Sequence, residues 1–339
     1  MPILLSAGVL ALGCYGGWSY VHNYLVYRGF PPPRDPTGIA TGTLEQVGFY
    51  SRPLGRRDTY LIYLPPGYSQ AAQRGVRFPV LYLLHGTVST ALHFIDVGKV
   101  GVDLDELLAA HRIQPFLIVM PQAENGTLVD DTEWANTGDG RYDDAVLAAV
   151  RHVDSRWSTI RSRGGRAIAG LSMGGYGAVN VALHHLAVFG TVESWSGYFR
   201  QMPTGPFTHA NPATLRTNSP AAYARTIAPR LRRLGLHALL YSGTADQLSS
   251  QQAPFARELR GLGLSVRSLY FAAAHNWKLW RARMPLALRY ASRWLAPPRR
   301  PPHRHGAPIG KRISVAWNPP AGLANAPAGL ANAFLDGSE

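Results

Sequence analysis

Between about residues 43 and 296, short apolar runs alternate with segments whose apolar positions recur at helical spacing. The pattern predicts strands at Thr43–Tyr50, Thr59–Leu64, Pro79–Leu84, Phe116–Met120, Arg166–Leu171, Thr191–Trp195, His237–Tyr241 and Val266–Phe271. Val80–Leu84 and Phe116–Met120 are apolar at every position, as expected of parallel strands covered by helices on both faces. The first two candidates alternate more and are expected to pair antiparallel at an edge. Helical spacing is clear in Tyr142, Val146, Ala149, Val153 and Trp157, and again in Trp277, Trp280, Met284, Leu288, Ala291 and Leu295. Pro285 lies inside the second set and is expected to kink that helix. Alternation of this kind predicts an α/β fold, a mostly parallel central sheet with helices on both faces. Chemistry in such sheets sits beyond the carboxyl ends of the strands.

The two ends read differently. Residues 1–27 are apolar and carry no charged side chain, and Pro2–Tyr20 matches the roughly 20 residues that cross a bilayer. No basic stretch precedes the run and no A-x-A site follows it, so an uncleaved membrane anchor is expected rather than a removed signal peptide. Arg28 and Arg34 follow the span, and the positive-inside rule alone points the body to the cytoplasm. The expectation carried forward is nonetheless an extracytoplasmic domain, with orientation open. Residues 28–42, with Pro31, Pro32, Pro33 and Pro36, read as a stiff linker. Residues 297–339 are basic and rich in Pro, Gly and Ala, with a tandem repeat at Pro320–Ala326 and Pro327–Ala333, and are expected to be a disordered tail.

Composition narrows the classes. The 339 residues are 46% hydrophobic and 16% charged, enough apolar material for a large core and too little charge for a disordered chain. The single cysteine, Cys14, excludes an intrachain disulfide and Cys-based metal sites. The formal charge of +14 invites a nucleic-acid reading, but no acidic residue occurs between Glu258 and Asp336, so the excess sits in the last helix and the tail. With no zinc-finger spacing, RNA-binding strand motif or basic zipper, that charge is expected to be a solvated face near anionic lipid or polymer, and no nucleic-acid partner is expected. The absence of H-E-x-x-H, a P-loop and a dinucleotide fingerprint predicts no cofactor and no bound metal. Oligomeric state is not legible.

Gly170-Leu171-Ser172-Met173-Gly174 is a G-x-S-x-G pentapeptide between a predicted strand and a helix-forming segment, the context in which a serine is forced onto a tight, exposed elbow. A hydroxyl needs a general base, itself held by a carboxylate, in the chain order Ser, acid, His for this elbow. Between Ser172 and Phe271 the carboxylates are Glu193, inside a predicted strand, Glu258, on an amphipathic helix, and Asp246, just past the strand ending at Tyr241. After Asp246 the histidines are His275, His303 and His305, and the last two fall in the tail. Elimination leaves Ser172, Asp246 and His275. The oxyanion of the tetrahedral intermediate needs two fixed N–H donors, one from Met173 after the nucleophile and one from the loop Leu83–Thr87, where Thr87 N–H fits. His85, beside it, reads as support for the loop's shape rather than a second base.

Taken together, Tyr60–Tyr68 (YLIYLPPGY), Pro79–Gly86 (PVLYLLHG), Arg166–Ala178 (RAIAGLSMGGYGA), Ser194–Gly197 (SWSG), Asn218-Ser219-Pro220, Gly243–Asp246 and His275–Trp277 resemble the esterase D family of α/β-hydrolases. That family includes S-formylglutathione hydrolases, feruloyl and siderophore esterases and mycolyltransferases. The resemblance implies the α/β-hydrolase fold, with Ser172 as nucleophile, Asp246 as acid, His275 as base, and Met173 and Thr87 as oxyanion donors. Asn276 departs from it, standing where the family often has an acidic residue. The leading expectation is a membrane-anchored serine esterase acting on a small-molecule or lipid ester. The alternatives are transfer of the acyl group to a sugar or lipid hydroxyl, and an inactive membrane-tethered binding module. The loops Gln122–Asp139 and Phe199–Ser219 are expected to wall the substrate site.

Overall fold

The computed structural model describes residues 26–124 and 131–300, together with 16, 17 and 20. Eight strands form one sheet: β1 (Thr43–Ser51), β2 (Arg56–Leu64), β3 (Val80–Leu84), β4 (Leu117–Pro121), β5 (Arg166–Leu171), β6 (Thr191–Trp195), β7 (His237–Gly243) and β8 (Ser265–Phe271), in the spatial order β1-β2-β4-β3-β5-β6-β7-β8. β1 pairs antiparallel with β2, from Thr43 opposite Leu64 to Ser51 opposite Arg56, and β2 pairs antiparallel with β4. Every other neighbouring pair is parallel. The alternating first hairpin is thus an edge and the uniformly apolar runs are the centre, because only central strands are covered on both faces.

The longest helices packed on the sheet are α1 (Val100–Ala109), α2 (Tyr142–Arg156), α3 (Met173–His184), α4 (Gln252–Gly261) and α5 (Trp277–Trp294). Side chains along a strand alternate between faces, and β3 shows the consequence. Val80, Tyr82 and Leu84 enter one apolar layer with Val146 of α2, Val181 of α3 and Phe255 of α4. Leu81 and Leu83 enter the other, with Leu104 of α1 and Met284 and Leu288 of α5. All five β3 side chains are fully buried, and each is worth roughly 2–3 kcal/mol at 25 cal/mol per Å² of apolar surface. α5 runs on through Pro285, whose ring nitrogen offers no proton to the preceding turn.

The ends of the chain are expected to be an anchor, a linker and a tail. Among the described residues no helix is long and apolar enough to cross a membrane, and the run expected to do so, residues 1–27, lies mostly outside them. The expected linker does not stand clear of the body at its start: the Arg28 guanidinium donates to the Val88 carbonyl, and Phe30 lies under the Arg281 guanidinium, 4.9 Å from it. Backbone pairing, which leaves no side-chain pattern to read, extends the body beyond residue 297, since Arg299 bridges Arg77 and Ala296 N–H donates to the Gly164 carbonyl. The rest of the expected tail, residues 301–339, lies outside the described residues.

α2 and α3 are tied by a buried carboxylate. Asp143, in the first turn of α2, accepts from His184 Nδ1 at 2.6 Å and His185 Nε2 at 2.8 Å. Burial raises the Asp143 carboxyl, but hydrogen bonds from both imidazoles outweigh it and hold the group below its usual range. Burial likewise lowers His184, and its bond to Asp143 outweighs that and leaves it raised. A raised imidazole stabilises the fold fully below its unfolded value, and that share is lost as pH rises through the folded value. The Asp143 share is lost only as pH falls through its own depressed value. Asp143→Asn is therefore expected to destabilise by about 1–3 kcal/mol. The loss in urea titrations should be largest at mildly acidic pH, where His184 is charged, and should shrink as pH rises through its raised folded-state value.

Candidate active site

Ser172 stands between β5 and α3 with φ 54° and ψ −122°, a backbone conformation that costs a non-glycine residue about 1–3 kcal/mol. The turn is held by Ser172 N–H on the Trp195 carbonyl at 2.8 Å and by Tyr176 N–H on the Ser172 carbonyl at 3.0 Å. The flanking glycines are required by crowding. A Cβ on Gly170 would lie 2.3 Å from the Gly174 carbonyl oxygen, and one on Gly174 would lie 2.0 Å from that of Leu84.

The three residues reached by elimination converge beyond the carboxyl ends of β5, β7 and β8. His275 Nε2 is 2.8 Å from Ser172 Oγ, and His275 Nδ1 is 2.9 Å from Asp246 Oδ2. The Asp246 side chain is fully buried while that of His275 is 30% exposed, so the carboxylate is sheltered and the imidazole reaches the surface. Asp246 Oδ1 also accepts from Leu248 N–H at 2.9 Å. Burial raises the Asp246 carboxyl, yet the hydrogen bonds from His275, Ser196 and Leu248 together hold it below the usual carboxylate range. The acid therefore stays ionised beside an imidazole that it orients with Nε2 toward the serine.

Ser196 is the residue that reasoning from the sequence missed. Its hydroxyl bonds Asp246 and accepts from Trp280 Nε1 at 3.1 Å, so a chain runs from α5 through the loop after β6 to the carboxylate. Trp280 also sets its ring edge-on to that of His275, at 5.1 Å and 87°. The SWSG stretch was the available signal, but nothing in its spacing relates it to residue 246. Removing a hydrogen bond to a charged group costs about 1.5–3 kcal/mol. Ser196→Ala is thus expected to lower kcat about tenfold or more, with KM shifting far less, in steady-state assays.

Met173 is the first residue of α3, so its N–H is one of the four donors a helix leaves without an internal partner. Thr87 lies across from it, its hydroxyl 3.5 Å from Met173 Sδ. The other candidates are engaged elsewhere. His85 is fully buried, with Nδ1 on the Gly86 carbonyl at 3.0 Å and Nε2 on that of Gln122 at 2.9 Å, which suits a loop support. Glu193 accepts from Trp195 Nε1 at 3.0 Å, and Glu258 pairs with Arg225 at 2.9 Å.

A cleft of about 510 Å³ opens over Ser172 and His275. Its described walls are residues 28, 30, 86–89 and 275–278, with Leu171 and Trp280. Of the loops Gln122–Asp139 and Phe199–Ser219, expected to wall the site, no described residue lines it, and residues 125–130 lie outside the described residues. Glu133 N–H points at Met173 Sδ, and the Tyr198 hydroxyl donates to the Glu133 carboxylate. Burial pushes the Glu133 carboxyl up to about 7.

Residues 51–291 match the family model described as Esterase. The chain is 31% identical over 157 residues, 45% of its length, to an endo-1,4-beta-xylanase/feruloyl esterase of Xylanibacter ruminicola, and this covers 21% of that protein. It is 28% identical over 150 residues to an esterase of Mycobacterium tuberculosis, covering 44% of this chain and 31% of that one. The chain thus spans less than a third of the length of either relative. A solved ferulic acid esterase superposes with a TM-score of 0.68 at 23% identity over 76% of this chain and 100% of its own. The S-formylglutathione hydrolase of Staphylococcus aureus gives 0.61 at 17% identity, over 78% of this chain and 100% of its own. These likenesses show an α/β-hydrolase-like fold, and the match over 51–291 shows the family: the chain belongs to the esterases.

Proposed function

We propose that the protein is a serine carboxylic-ester hydrolase in which Ser172 attacks the ester carbonyl. The observation that carries this reading is the line from Ser172 Oγ through the His275 ring to buried Asp246, at 2.8 and 2.9 Å. His275 Nε2 takes the hydroxyl proton as the bond to carbon forms, then returns it to the departing alcohol oxygen. Asp246 fixes the tautomer and stabilises the transient imidazolium. Met173 and Thr87 N–H groups receive the carbonyl oxygen as it gains charge, each worth about 3 kcal/mol in the transition state. Water, activated by the same imidazole, then attacks the acyl-enzyme and restores Ser172.

Hydrolysis of a series of 4-nitrophenyl esters from acetate upward tests the reading, with saturable turnover expected for at least the short chains. Purified, folded protein that turns over none of them overturns it. Including glycerol or trehalose in the same assay separates release to water from formation of a new ester.

The reading includes anchorage at a membrane through the N-terminal run. Its support is the uncharged run at residues 2–20. Full-length protein is expected in the membrane pellet after a high-salt wash, and a form lacking residues 1–27 in the supernatant. Release of the full chain by salt alone contradicts the anchor.

A further inference from the structure

The cleft over Ser172 has an unbalanced charge. Arg28 and Lys278 line it, and no Asp or Glu does among the described residues. The nearby acids are committed elsewhere: Asp246 lies behind His275, Asp103 binds Lys99 at 2.5 Å, and Glu133 is held by Tyr198. Arg28 gives one N–H to the Val88 carbonyl, while its Nε is buried with no hydrogen-bond partner. Lys278 is exposed and pairs with no carboxylate among the described residues. It sits in the first turn of α5, which contains no acidic side chain, where the helix's own dipole already disfavours a cation. Arg281 is not available to the cleft, since it donates to the Val97 carbonyl at 2.6 Å and covers Phe30. The same cleft offers apolar wall at Phe30, Leu171, Trp277 and Trp280.

An anion in the cleft would relieve both mismatches at once. We propose that the cleft takes esters that carry an anionic group, a carboxylate or a phosphate, held by Lys278 and Arg28 while the hydrocarbon part lies on the tryptophans and the carbonyl reaches Ser172. The proposal rests on the serine-hydrolase reading and specifies its substrate class. Arg28 thereby becomes part of the site although it precedes the sheet by 15 residues in the chain, because its segment folds back over the loop after β3.

The test compares two six-carbon acyl esters, 4-nitrophenyl hydrogen adipate and 4-nitrophenyl hexanoate, which differ in a terminal carboxylate. At low ionic strength the native protein is expected to favour the anionic ester in kcat/KM, and the ratio should fall as salt is added. Lys278→Gln should lower that ratio about tenfold, Lys278→Glu should lower it further, and Arg28→Gln should also reduce it. The ratio is the readout, so a general loss of activity in a variant does not imitate the effect. A native ratio below one at low salt, or a ratio indifferent to both residues, overturns the proposal. Native protein that hydrolyses neither ester removes the hydrolase reading itself, a distinct result. Inhibition of hexanoate turnover by glycerol phosphate points to a free anion, and inhibition by phosphatidylglycerol vesicles but not phosphatidylcholine vesicles points to a lipid headgroup. Inhibition by neither anion counts against the proposal.

Discussion

Ser172→Ala is expected to reduce kcat on a short nitrophenyl ester by about ten-thousand-fold or more while leaving the circular dichroism spectrum and melting temperature nearly unchanged. The hydroxyl is small, and Ser172 holds its turn through backbone hydrogen bonds that alanine keeps. His275→Ala should cost about as much, since without Nε2 at 2.8 Å nothing takes the proton from Oγ. The two residues act as a unit, so the double variant should be scarcely worse than either single one. Asp246→Asn keeps the shape but presents an amide to Nδ1, and a loss on the order of ten-thousand-fold is expected from the wrong tautomer. Additive losses across Ser172 and His275 would contradict a shared proton path.

Gly174→Ala is expected to prevent stable folding. The added methyl would lie 2.0 Å from the Leu84 carbonyl oxygen, and neither partner is a side chain that can swing away, because β3 and the start of α3 are both held by backbone hydrogen bonds. Relieving the contact requires moving α3 off the sheet and opening the apolar layer that holds Val181 and Ala182. The cost is expected to exceed about 4 kcal/mol, a large part of the 5–15 kcal/mol by which folded domains survive. Gly164→Ala is the control, since a Cβ there meets nothing within 4 Å. It should fall within about 0.5 kcal/mol of the native protein in urea titrations. Equal destabilisation of the two variants would show that crowding at the elbow is not what selects glycine.

The central strands were legible because burial on both faces leaves unbroken apolar runs such as Val80–Leu84, whereas β2 begins at Arg56, three residues before its apolar pattern does. Ser172, Asp246 and His275 were legible through chemistry. A chain with few carboxylates and histidines after the elbow leaves one of each in a loop that follows a strand. What the sequence concealed depends on contacts through space. Arg28 and Phe30 read as the start of a linker, and only the fold lays them against Val88 and Arg281. Ser196 reads as one serine among many until Trp280, 84 residues later, is seen to bond it. In the loop Gln122–Asp139, expected to wall the site, Glu133 turns its N–H to Met173 Sδ and Trp134 is fully buried, contacts that no local pattern announces.

A serine made nucleophilic by its neighbours reacts with fluorophosphonates, whereas an ordinary surface serine does not. Labelling the intact protein with such a probe and mapping the adduct by mass spectrometry therefore addresses the central claim directly. One adduct, on Ser172, lost in Ser172→Ala and strongly slowed in His275→Ala, is the result expected. An adduct on another residue, or none in protein that is demonstrably folded, would contradict it.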